Sequence, residues 1–458
     1  MSLTAADLAP AIDATAATLT RAGTRPHSLL VRQHDRTLAD LRWAPWDTEE
    51  PCLVYSCSKT FTSAAVGMAV EDGAFGYQDT LVDLWPEVAD AAGPRASRIR
   101  IRDALAMATG HSQEQADEVA TAMAWHRRPV GDETARAFLA AEPEHDPGSS
   151  FAYNNLATWM LSRIVARTTG RDVAELLTRR VLDPIGIGPV PWTRDLDGFP
   201  LGFSGMHLRP DQLARFAQLL LDDGVHRGRR LLPAEWIAGH RVSHIDSDGD
   251  TGTDWGMGYG WQVWRGLHGY RIDGAMGQLA LILPEADAVI VTTNNIDGAQ
   301  PVLDAVWAHL WPALEARGSG LNDDVEPYRR TLEVAPVAGE PAPERTVRAT
   351  TGAGDRLVIR PTGGGWTVDL TRTDGGRFAI RVGCGQWLHT HLRLADGELE
   401  VAASGGWAGP ELTIDLAVVT TPHTLRLRWG PDGLSEQWDT EPLNPGGLFG
   451  QARPAPGR

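Results

Sequence analysis

The sequence has little of three features that would each assign a protein to a broad class. It contains only three cysteines, Cys52, Cys57 and Cys384, whose scattered positions form neither a disulfide framework nor a zinc-ligand pattern. It has no run of about 18 apolar residues, and its first residues lack the basic start and apolar core of a signal peptide. We therefore expect three free thiols, a cytoplasmic location and no membrane insertion.

Positive charge is also in short supply. The 458 residues carry 59 acidic and 42 basic side chains, which gives a formal net charge of −17 at pH 7. A negatively charged surface repels a phosphate backbone, so the composition argues against a nucleic-acid partner. With 42% hydrophobic and 22% charged residues, the chain is an ordinary globular sequence long enough for two or three domains.

Lysine is almost absent. Of the 42 basic residues 41 are arginine, and Lys59 is the only lysine. A guanidinium stays charged, whereas burial can bring an amine close to neutrality near pH 7, so a proton-transfer role would forbid exchange for arginine. The alternative is a solvated lysine that survived a general preference for arginine.

Charge and apolar patterning divide the chain in two. Residues 345–458 hold 12 arginines and 12 acids, so the net charge of −17 lies entirely on the residues before them. Short alternating apolar runs in this second part predict roughly seven or eight antiparallel strands in a small barrel or sandwich. Residues 317–344 are rich in glycine, proline and acids and are predicted to form a linker.

Residues 1–316 mix two kinds of periodicity. A helical pattern runs over 5–21, and strand patterns follow at 27–33 and 38–43. This mixture predicts an α/β domain.

The segment around the single lysine places a serine and the lysine at a spacing that allows proton transfer between them. Ser56 and Lys59 lie three residues apart at the start of a predicted helix that ends at Gly73, and its apolar residues predict a single buried stripe: Phe61, Ala64, Ala65 and Met68. The spacing puts both functional groups on one face, where a desolvated amine can take the serine proton. Taken alone, S-x-x-K is common by chance and also fits a capped surface helix.

A second segment, residues 147–155 (PGSSFAYNN), opens onto a helix predicted to end at Gly170. Tyr153 and Asn155 lie at this junction. The phenol can share or relay a proton with Lys59, and the amide can orient either the lysine or the substrate. Tyrosine and asparagine before a helix also serve as core and cap residues, which is the structural alternative.

Taken together, these segments resemble the penicillin-binding protein and class C β-lactamase superfamily of serine hydrolases, in particular its esterase and amidase branch. The matching stretches surround Ser56 and continue, in order, at 101–110, 147–170, 204–224 and 255–295. The resemblance implies an α/β (α+β) β-lactamase-like domain over 1–316, with a mostly antiparallel sheet flanked by helices. It also implies that 345–458 form a lipocalin-like β-barrel or sandwich, as in some relatives.

The same resemblance implies catalytic roles for residues of the first two segments. Ser56 would be the acylated nucleophile, Lys59 its base partner and Tyr153 a further catalytic residue, while Asn155 would orient the substrate. No metal and no cofactor are expected.

The third motif is placed by the resemblance at residues 272–275. Asp273 and Gly274 would bind or orient the substrate, and the backbone N–H groups of Ser56 and Ala275 would form the oxyanion hole. Penicillin-recognising relatives carry Lys-Thr-Gly here, so Ile272, expected to face the pocket, replaces the cation that anchors a carboxylate. Arg271, two residues before Asp273 on the same strand face, is a candidate to neutralise it. We therefore expect poor activity on β-lactams relative to small esters.

The function implied is a serine hydrolase that acts on a small-molecule ester, amide or peptide through an acyl-enzyme at Ser56. Two alternatives stay open. One is an acyltransferase or peptide-cyclising thioesterase of the same fold, in which an amine replaces water. The other is a non-turnover binding or sensor protein that uses its C-terminal domain for interactions. Residues 111–146, with His111, Trp125 and His126, are expected to cover and shape the pocket.

Overall fold

The computed structural model describes residues 5–122, 131–247, 249–250, 252–317, 326–341, 346–395 and 397–455. Its helices are α1 (Ala5–Arg21), α2 (Ser58–Glu71), α3 (Leu81–Leu84), α4 (Ile101–Leu105), α5 (Gln113–Ala122), α6 (Gly131–Ala140), α7 (Asn155–Thr169), α8 (Val173–Leu177), α9 (Pro210–Leu221), α10 (Ala234–His240), α11 (Gln300–Ala305) and α12 (Trp311–Arg317). The strands before the barrel are β1 (Arg25–Gln33), β2 (Arg36–Ala44), β3 (Cys52–Leu53), β4 (His207–Leu208), β5 (Val225–His226), β6 (Arg229–Arg230), β7 (Trp264–Gly266), β8 (Gly269–Gly274), β9 (Gln278–Leu283), β10 (Ala288–Asn295) and β11 (Tyr328–Glu333).

A seven-stranded sheet forms the centre of the first domain. Its strand order is β11-β2-β1-β10-β9-β8-β7, and every neighbouring pair is antiparallel except β11 with β2. Strands β9 and β10 are buried along their whole length because helices cover both faces of the sheet. The predicted helix over 5–21 and the two predicted strands correspond to α1, β1 and β2.

Two apolar cores lie on opposite faces of this sheet. The larger core packs α2, α7 and α9 against one face, and the smaller core packs α1, α11 and α12 against the other. The mixed α/β class and the mostly antiparallel sheet flanked by helices are confirmed. Among the described residues, no helix combines the length and apolar character needed to cross a bilayer, and all three cysteines are free thiols.

Helix α2 runs through the larger core. Every residue from Ser58 to Ala69 is buried, so the prediction of a single apolar stripe is wrong. Small residues between the large apolar ones let neighbours pack on all sides of the helix. A Cβ added at Gly67, for example, would lie 2.4 Å from the Trp236 ring.

The second domain is a nearly closed barrel of nine strands: β12 (Val347–Thr350), β13 (Arg356–Thr362), β14 (Gly365–Thr371), β15 (Arg377–Cys384), β16 (Leu388–Leu394), β17 (Gly397–Ala408), β18 (Glu411–Val418), β19 (Thr424–Gly430) and β20 (Gly433–Trp438). The alternating apolar residues of these strands fill its interior. The sequence predicted seven or eight strands, one or two fewer than are present, and only antiparallel pairs. Strand β17 is long enough to pair antiparallel with β16 along its first part and parallel with β15 at Ser404 and Gly405.

The segment predicted as a linker takes part in both domains. Strand β11 extends the first sheet, and the Tyr328 hydroxyl donates to the Asp13 carboxylate at 3.0 Å. Further along, Glu340 bridges to Trp407 of β17 through two backbone hydrogen bonds. The segment is therefore fixed to the first sheet and to the barrel.

The barrel also packs directly on the first domain. Trp46 lies in a small apolar cluster with three barrel residues, Ala402, Ala417 and Val419. An ion pair between Arg25 and Asp439, 3.1 Å apart, lies at the same interface. This contact brings the barrel close to the chain that leads into α2.

Candidate active site

Ser56 lies in a tight turn between β3 and α2. Residues Tyr55–Cys57 form a turn of 3₁₀-helix, in which Tyr55 adopts a left-handed φ of +47° that is uncommon for a residue with a Cβ. The Ser58 hydroxyl donates to the Tyr55 carbonyl at 2.6 Å and accepts from the Met206 N–H at 3.2 Å. Ser56 itself stays partly exposed between two buried neighbours. We call residues 54–58 the nucleophile turn.

Lys59 follows one turn later, with its side chain buried. Its Nζ lies 2.8 Å from Ser56 Oγ and donates to the Phe203 carbonyl at 2.9 Å. Burial lowers the pKa of Lys59 from 10.5 to about 7, and the nearby negative charge of Asp273 opposes this shift. A neutral amine beside the serine hydroxyl is therefore accessible near pH 7.

Tyr153 lies on the other side of Lys59, whose Nζ is 4.7 Å from the centre of the phenol ring. Burial raises the pKa of Tyr153, and a hydrogen bond with Ser56 opposes that rise. The backbone of Tyr153 is clamped by Gln113 of α5, whose amide accepts from the Tyr153 N–H at 2.9 Å and donates to its carbonyl at 3.2 Å. The backbone of Tyr153 is thus held in place, and Lys59 is the group whose pKa lies near neutrality.

The two asparagines before α7 have different surroundings. Asn154 is the buried N-cap, and its Oδ1 accepts from the N–H groups of Leu156 and Ala157 at 3.0 and 3.3 Å. Asn155 begins the helix and is half-buried, and its side-chain amide has no hydrogen-bond partner among the described residues. Asn155 therefore remains available to a substrate, whereas Asn154 serves the helix.

Strand β8 places Asp273 and its neighbour Ile272 on opposite faces. Asp273 influences the pKa values of Lys59 and Tyr153, whereas Ile272 is fully buried in the larger core. The expectation that position 272 faces the pocket is therefore wrong. Successive side chains of a strand alternate, and here residues 271 and 273 share the face toward Tyr153.

Asp273 is paired with a buried arginine. Its Oδ2 accepts from Arg271 Nε at 2.8 Å, and burial raises the pKa of Asp273 while Arg271 opposes the rise. Arg271 Nη1 also donates to the carbonyls of Asp254 and Arg265, at 3.0 and 3.1 Å. The proposed neutralising partner of Asp273 is thus in place.

Gly274 touches the nucleophile turn. A Cβ added there would lie 2.3 Å from the Val54 carbonyl oxygen and 3.0 Å from Cys57 Sγ. Only glycine allows the two backbones to approach this closely.

The chain then turns sharply through Ala275. Met276 and Gly277 both have left-handed φ values, +63° and +76°, and the Gln278 amide donates to the carbonyls of Met276 and Asn294 at 2.9 and 2.6 Å. The N–H groups of Ala275 and Ser56 have no acceptor among the described residues. Both are therefore available for an oxyanion.

An aromatic wall includes Tyr153 and the rings packed around it. We use this name for Phe151, Tyr153, Trp255, Tyr259 and Trp264. Trp264 lies at its centre, with its ring 6.0 Å from that of Tyr153 and 5.0 Å from those of Tyr259 and Trp255. The Arg271 guanidinium packs on this wall, 4.5 Å from the Trp255 ring centre.

Sequence reasoning did not find three contributors to the site. Phe203 acts through its carbonyl, Gln113 through its clamp on Tyr153, and His423 of the barrel through a hydrogen bond with Tyr55. Backbone carbonyls carry no sequence signal. Gln113 lies within residues 111–146, the segment expected to cover the pocket, but its residue type alone does not distinguish it there.

Among the histidines of the covering segment, His111 is buried, and both of its ring nitrogens contact polar atoms of neighbouring residues. Its Nδ1 lies 2.9 Å from Thr109 Oγ1 and its Nε2 lies 2.8 Å from the Ala141 carbonyl. Burial lowers the pKa of His111. His126 and Trp125 lie outside the described residues.

Comparison with known proteins identifies the family of the chain. The Beta-lactamase family model matches residues 12–315, well over half of the chain. A 6-aminohexanoate-dimer hydrolase of Paenarthrobacter ureafaciens is 25% identical over 283 residues, which are 58% of this chain and 72% of the relative.

Two solved structures extend the comparison of the fold. EstCE1, a hydrolase with promiscuous acyltransferase activity, has a TM-score of 0.53 at 17% identity and matches 65% of this chain and 98% of its own. The structure of SurE with D-Leu has a TM-score of 0.52 at 18% identity and matches 98% of this chain and 99% of its own. SurE therefore shares the fold across both domains. Because the family model matches the sequence over residues 12–315, the chain belongs to the Beta-lactamase family, a family of hydrolases.

Proposed function

We propose that the protein is a serine hydrolase that forms an acyl-enzyme at Ser56 on a small ester or amide. The observation that carries this proposal is the 2.8 Å contact between Ser56 Oγ and the buried amine of Lys59. Burial lowers the pKa of that amine to about 7. A solvated lysine, with a pKa of about 10.4, would stay protonated at neutral pH and could not accept the serine proton.

Acylation follows from the positions of these groups. Ser56 Oγ attacks the substrate carbonyl carbon while its proton passes to Lys59 Nζ. The carbonyl oxygen gains the negative charge and receives the N–H groups of Ser56 and Ala275. The bond from the carbonyl carbon to the leaving oxygen or nitrogen then breaks, and the leaving group takes the proton from Lys59 through the Tyr153 hydroxyl.

Deacylation reverses these roles. Water attacks the acyl carbonyl, Lys59 takes its proton, and Ser56 Oγ leaves and recovers a proton. An amine that entered in place of water would receive the acyl group by the same steps, so hydrolysis and acyl transfer differ only in the acceptor.

The surroundings restrict the substrate. Asp273 lies near Lys59 and Tyr153, and its charge is already paired with Arg271. A substrate carboxylate would gain no new ionic partner there, which disfavours β-lactams. The aromatic wall beside Tyr153 favours an apolar acyl or leaving group.

The test is a nitrophenyl ester assay combined with intact-mass analysis of the full chain. We expect turnover by the wild type, a transient mass increase equal to the acyl group, and neither signal in Ser56→Ala, which removes only the nucleophile. Ester turnover by Ser56→Ala within about tenfold of wild type, a barrier change below about 1.4 kcal/mol, would disprove the mechanism.

The same assay separates the alternatives. Adding an amine acceptor and weighing the products distinguishes acyl transfer from hydrolysis. A stable acyl adduct without turnover would instead identify a binding or sensor protein. A panel of esters, amides, D-amino-acid derivatives and β-lactams then ranks the substrates, with β-lactams expected to rank low.

A further inference from the structure

The loop between β18 and β19 of the barrel is buried against the nucleophile turn. Residues 418–424 are all buried, although connecting loops normally run over the surface. The Leu53 N–H donates to the Thr420 carbonyl at 2.9 Å, and the Trp46 indole N–H donates to the Thr421 carbonyl at 3.2 Å. The barrel thus reaches the strand that leads into Ser56.

Within this loop, His423 forms a hydrogen bond with the phenol of Tyr55. The two side chains are among the least exposed in the chain, His423 at 0% and Tyr55 at 1%. The bond therefore joins the two domains inside a dry interface, where a hydrogen bond is strong and an unpaired partner is costly.

The direction of this bond follows from the other side of the imidazole ring. His423 Nδ1 lies 3.0 Å from the Thr440 carbonyl and 2.9 Å from the Thr440 hydroxyl oxygen, and that hydroxyl donates to Asn295 Oδ1 at 2.5 Å. Both Thr440 atoms can only accept, so Nδ1 carries the ring proton. His423 Nε2 is then an acceptor, and the Tyr55 hydroxyl is the donor.

Tyr55 is the residue directly before the nucleophile. Its φ of +47° is unfavourable for a residue with a Cβ, and such a backbone persists where its surroundings hold it in place. Ser58 holds the Tyr55 carbonyl, and His423 holds the far end of the side chain. The side chain thus points away from the reacting atoms and into the barrel.

We propose that the barrel positions the nucleophile: His423 fixes the phenol of Tyr55, and this contact maintains the left-handed backbone that orients Ser56 and its N–H group. The inference rests on the proposed acyl-enzyme function. Tyr55 and His423 are positioning residues, because neither reaches the substrate carbonyl. Their loss misplaces the nucleophile and the oxyanion donor, so it lowers kcat more than it changes KM.

A pair of matched substitutions isolates the contact. His423→Gln keeps an acceptor near the position of Nε2 and preserves the bond to Tyr55, whereas His423→Asn keeps a polar group near Nδ1 and loses that bond. Tyr55→Phe removes only the donor hydroxyl. Arg25→Gln breaks the ion pair with Asp439 at the same interface and serves as the control for general weakening of the domain contact.

Each variant is assayed as the full chain with a nitrophenyl ester, and its active sites are counted from the acylation burst. We expect Tyr55→Phe and His423→Asn to lower kcat per active site by at least about tenfold, with KM changed less than about threefold. His423→Gln should recover most of the loss, and Arg25→Gln should match wild type. The double variant Tyr55→Phe/His423→Asn should be no slower than either single variant.

Two results would overturn the inference. One is an unchanged kcat per active site in Tyr55→Phe and His423→Asn, whatever happens to their melting temperatures, because the bond would then only stabilise domain contact. The other is an equal loss in Arg25→Gln. Failure of the proposed function looks different, since wild type itself would then show neither burst nor turnover.

Discussion

Two buried basic side chains, Lys59 and Arg271, lie near Asp273, and they differ in their partners. Arg271 has a carboxylate, two backbone carbonyls and indole faces around its guanidinium. Lys59 has one hydroxyl and one carbonyl, and no carboxylate within ion-pair distance among the described residues. Both side chains are about equally hidden, each 1% exposed. Burial without an ion-paired carboxylate lowers the pKa of the Lys59 amine to about 7, whereas a guanidinium keeps its charge.

This contrast gives a reason for a lysine at position 59 in a chain whose other 41 basic residues are arginine. A guanidinium stays protonated in any surroundings, which suits position 271, where it pairs with Asp273. The proposed mechanism requires at position 59 a group that can release and recover a proton near pH 7. The predictions below test this contrast, beginning with the largest effect.

Lys59→Arg should lower kcat/KM for a nitrophenyl ester by about 10²- to 10⁴-fold, the usual contribution of a positioned general base. The substitution keeps the positive charge and removes the proton-accepting amine. Lys59→Ala should lose a similar amount. An active Lys59→Arg enzyme would make Lys59 an electrostatic neighbour instead of a base.

Asp273→Asn should destabilise the fold by about 3–5 kcal/mol, because it leaves the Arg271 charge buried without its carboxylate. Chemical denaturation at neutral pH measures this loss. The double variant Asp273→Asn/Arg271→Met removes both charges and should recover much of the stability. If the single variant is as stable as wild type, the ion pair between Asp273 and Arg271 does not stabilise the fold.

Lys59→Met should stabilise the protein more at pH 6 than at pH 9. The pKa of Lys59 is about 7 in the folded chain and 10.5 without burial, so the unfolded state binds more protons between these values. The penalty for burying Lys59 is therefore complete below about pH 7 and fades toward pH 10.5. Each 1 kcal/mol removed should raise Tm by very roughly 2 °C in a chain of this size, and scanning calorimetry at both pH values measures the difference. Equal shifts at the two pH values would contradict the lowered pKa.

The smallest expected effect concerns the pH profile. Wild-type kcat/KM should rise with pH through an apparent pKa of about 7, as Lys59 becomes neutral. Besides burial, the groups that influence this titration are Cys57 and Asp273. Asp273→Asn should move the acid limb to lower pH, because its carboxylate favours the protonated amine. A shift to higher pH would reverse the assigned sign.

The sequence predicted local relations well. The contact between Ser56 and Lys59 follows from their spacing of three, and periodicity predicted α1 in full and the positions of β1 and β2 to within two residues at their ends. The junction before α7 drew attention to Tyr153, whereas only the resemblance to known hydrolases brought Asp273 into the site. Position 272 shows the limit of this prediction. Successive side chains of a strand lie on opposite faces, so an error of one residue assigns a side chain to the wrong face.

Other contacts have no signature in a single sequence. The Phe203 carbonyl belongs to the backbone, which is the same for every residue type. The docking of the β18–β19 loop depends on how two finished domains fit together, and apolar alternation in either domain does not encode it. The role of His423 therefore emerged only from the assembled chain.

The parallel pairing of β11 with β2 has a consequence for dissecting the protein. A fragment that stops at residue 316 would lack β11 and leave the outer backbone edge of β2 uncovered, which invites pairing with other copies. A barrel fragment that begins at residue 345 would in turn lose the Glu340 bridge to Trp407. The segment between the two domains is thus bonded to both of them. Transferring the barrel to another protein therefore requires transferring β11, the edge strand of the first sheet, with it.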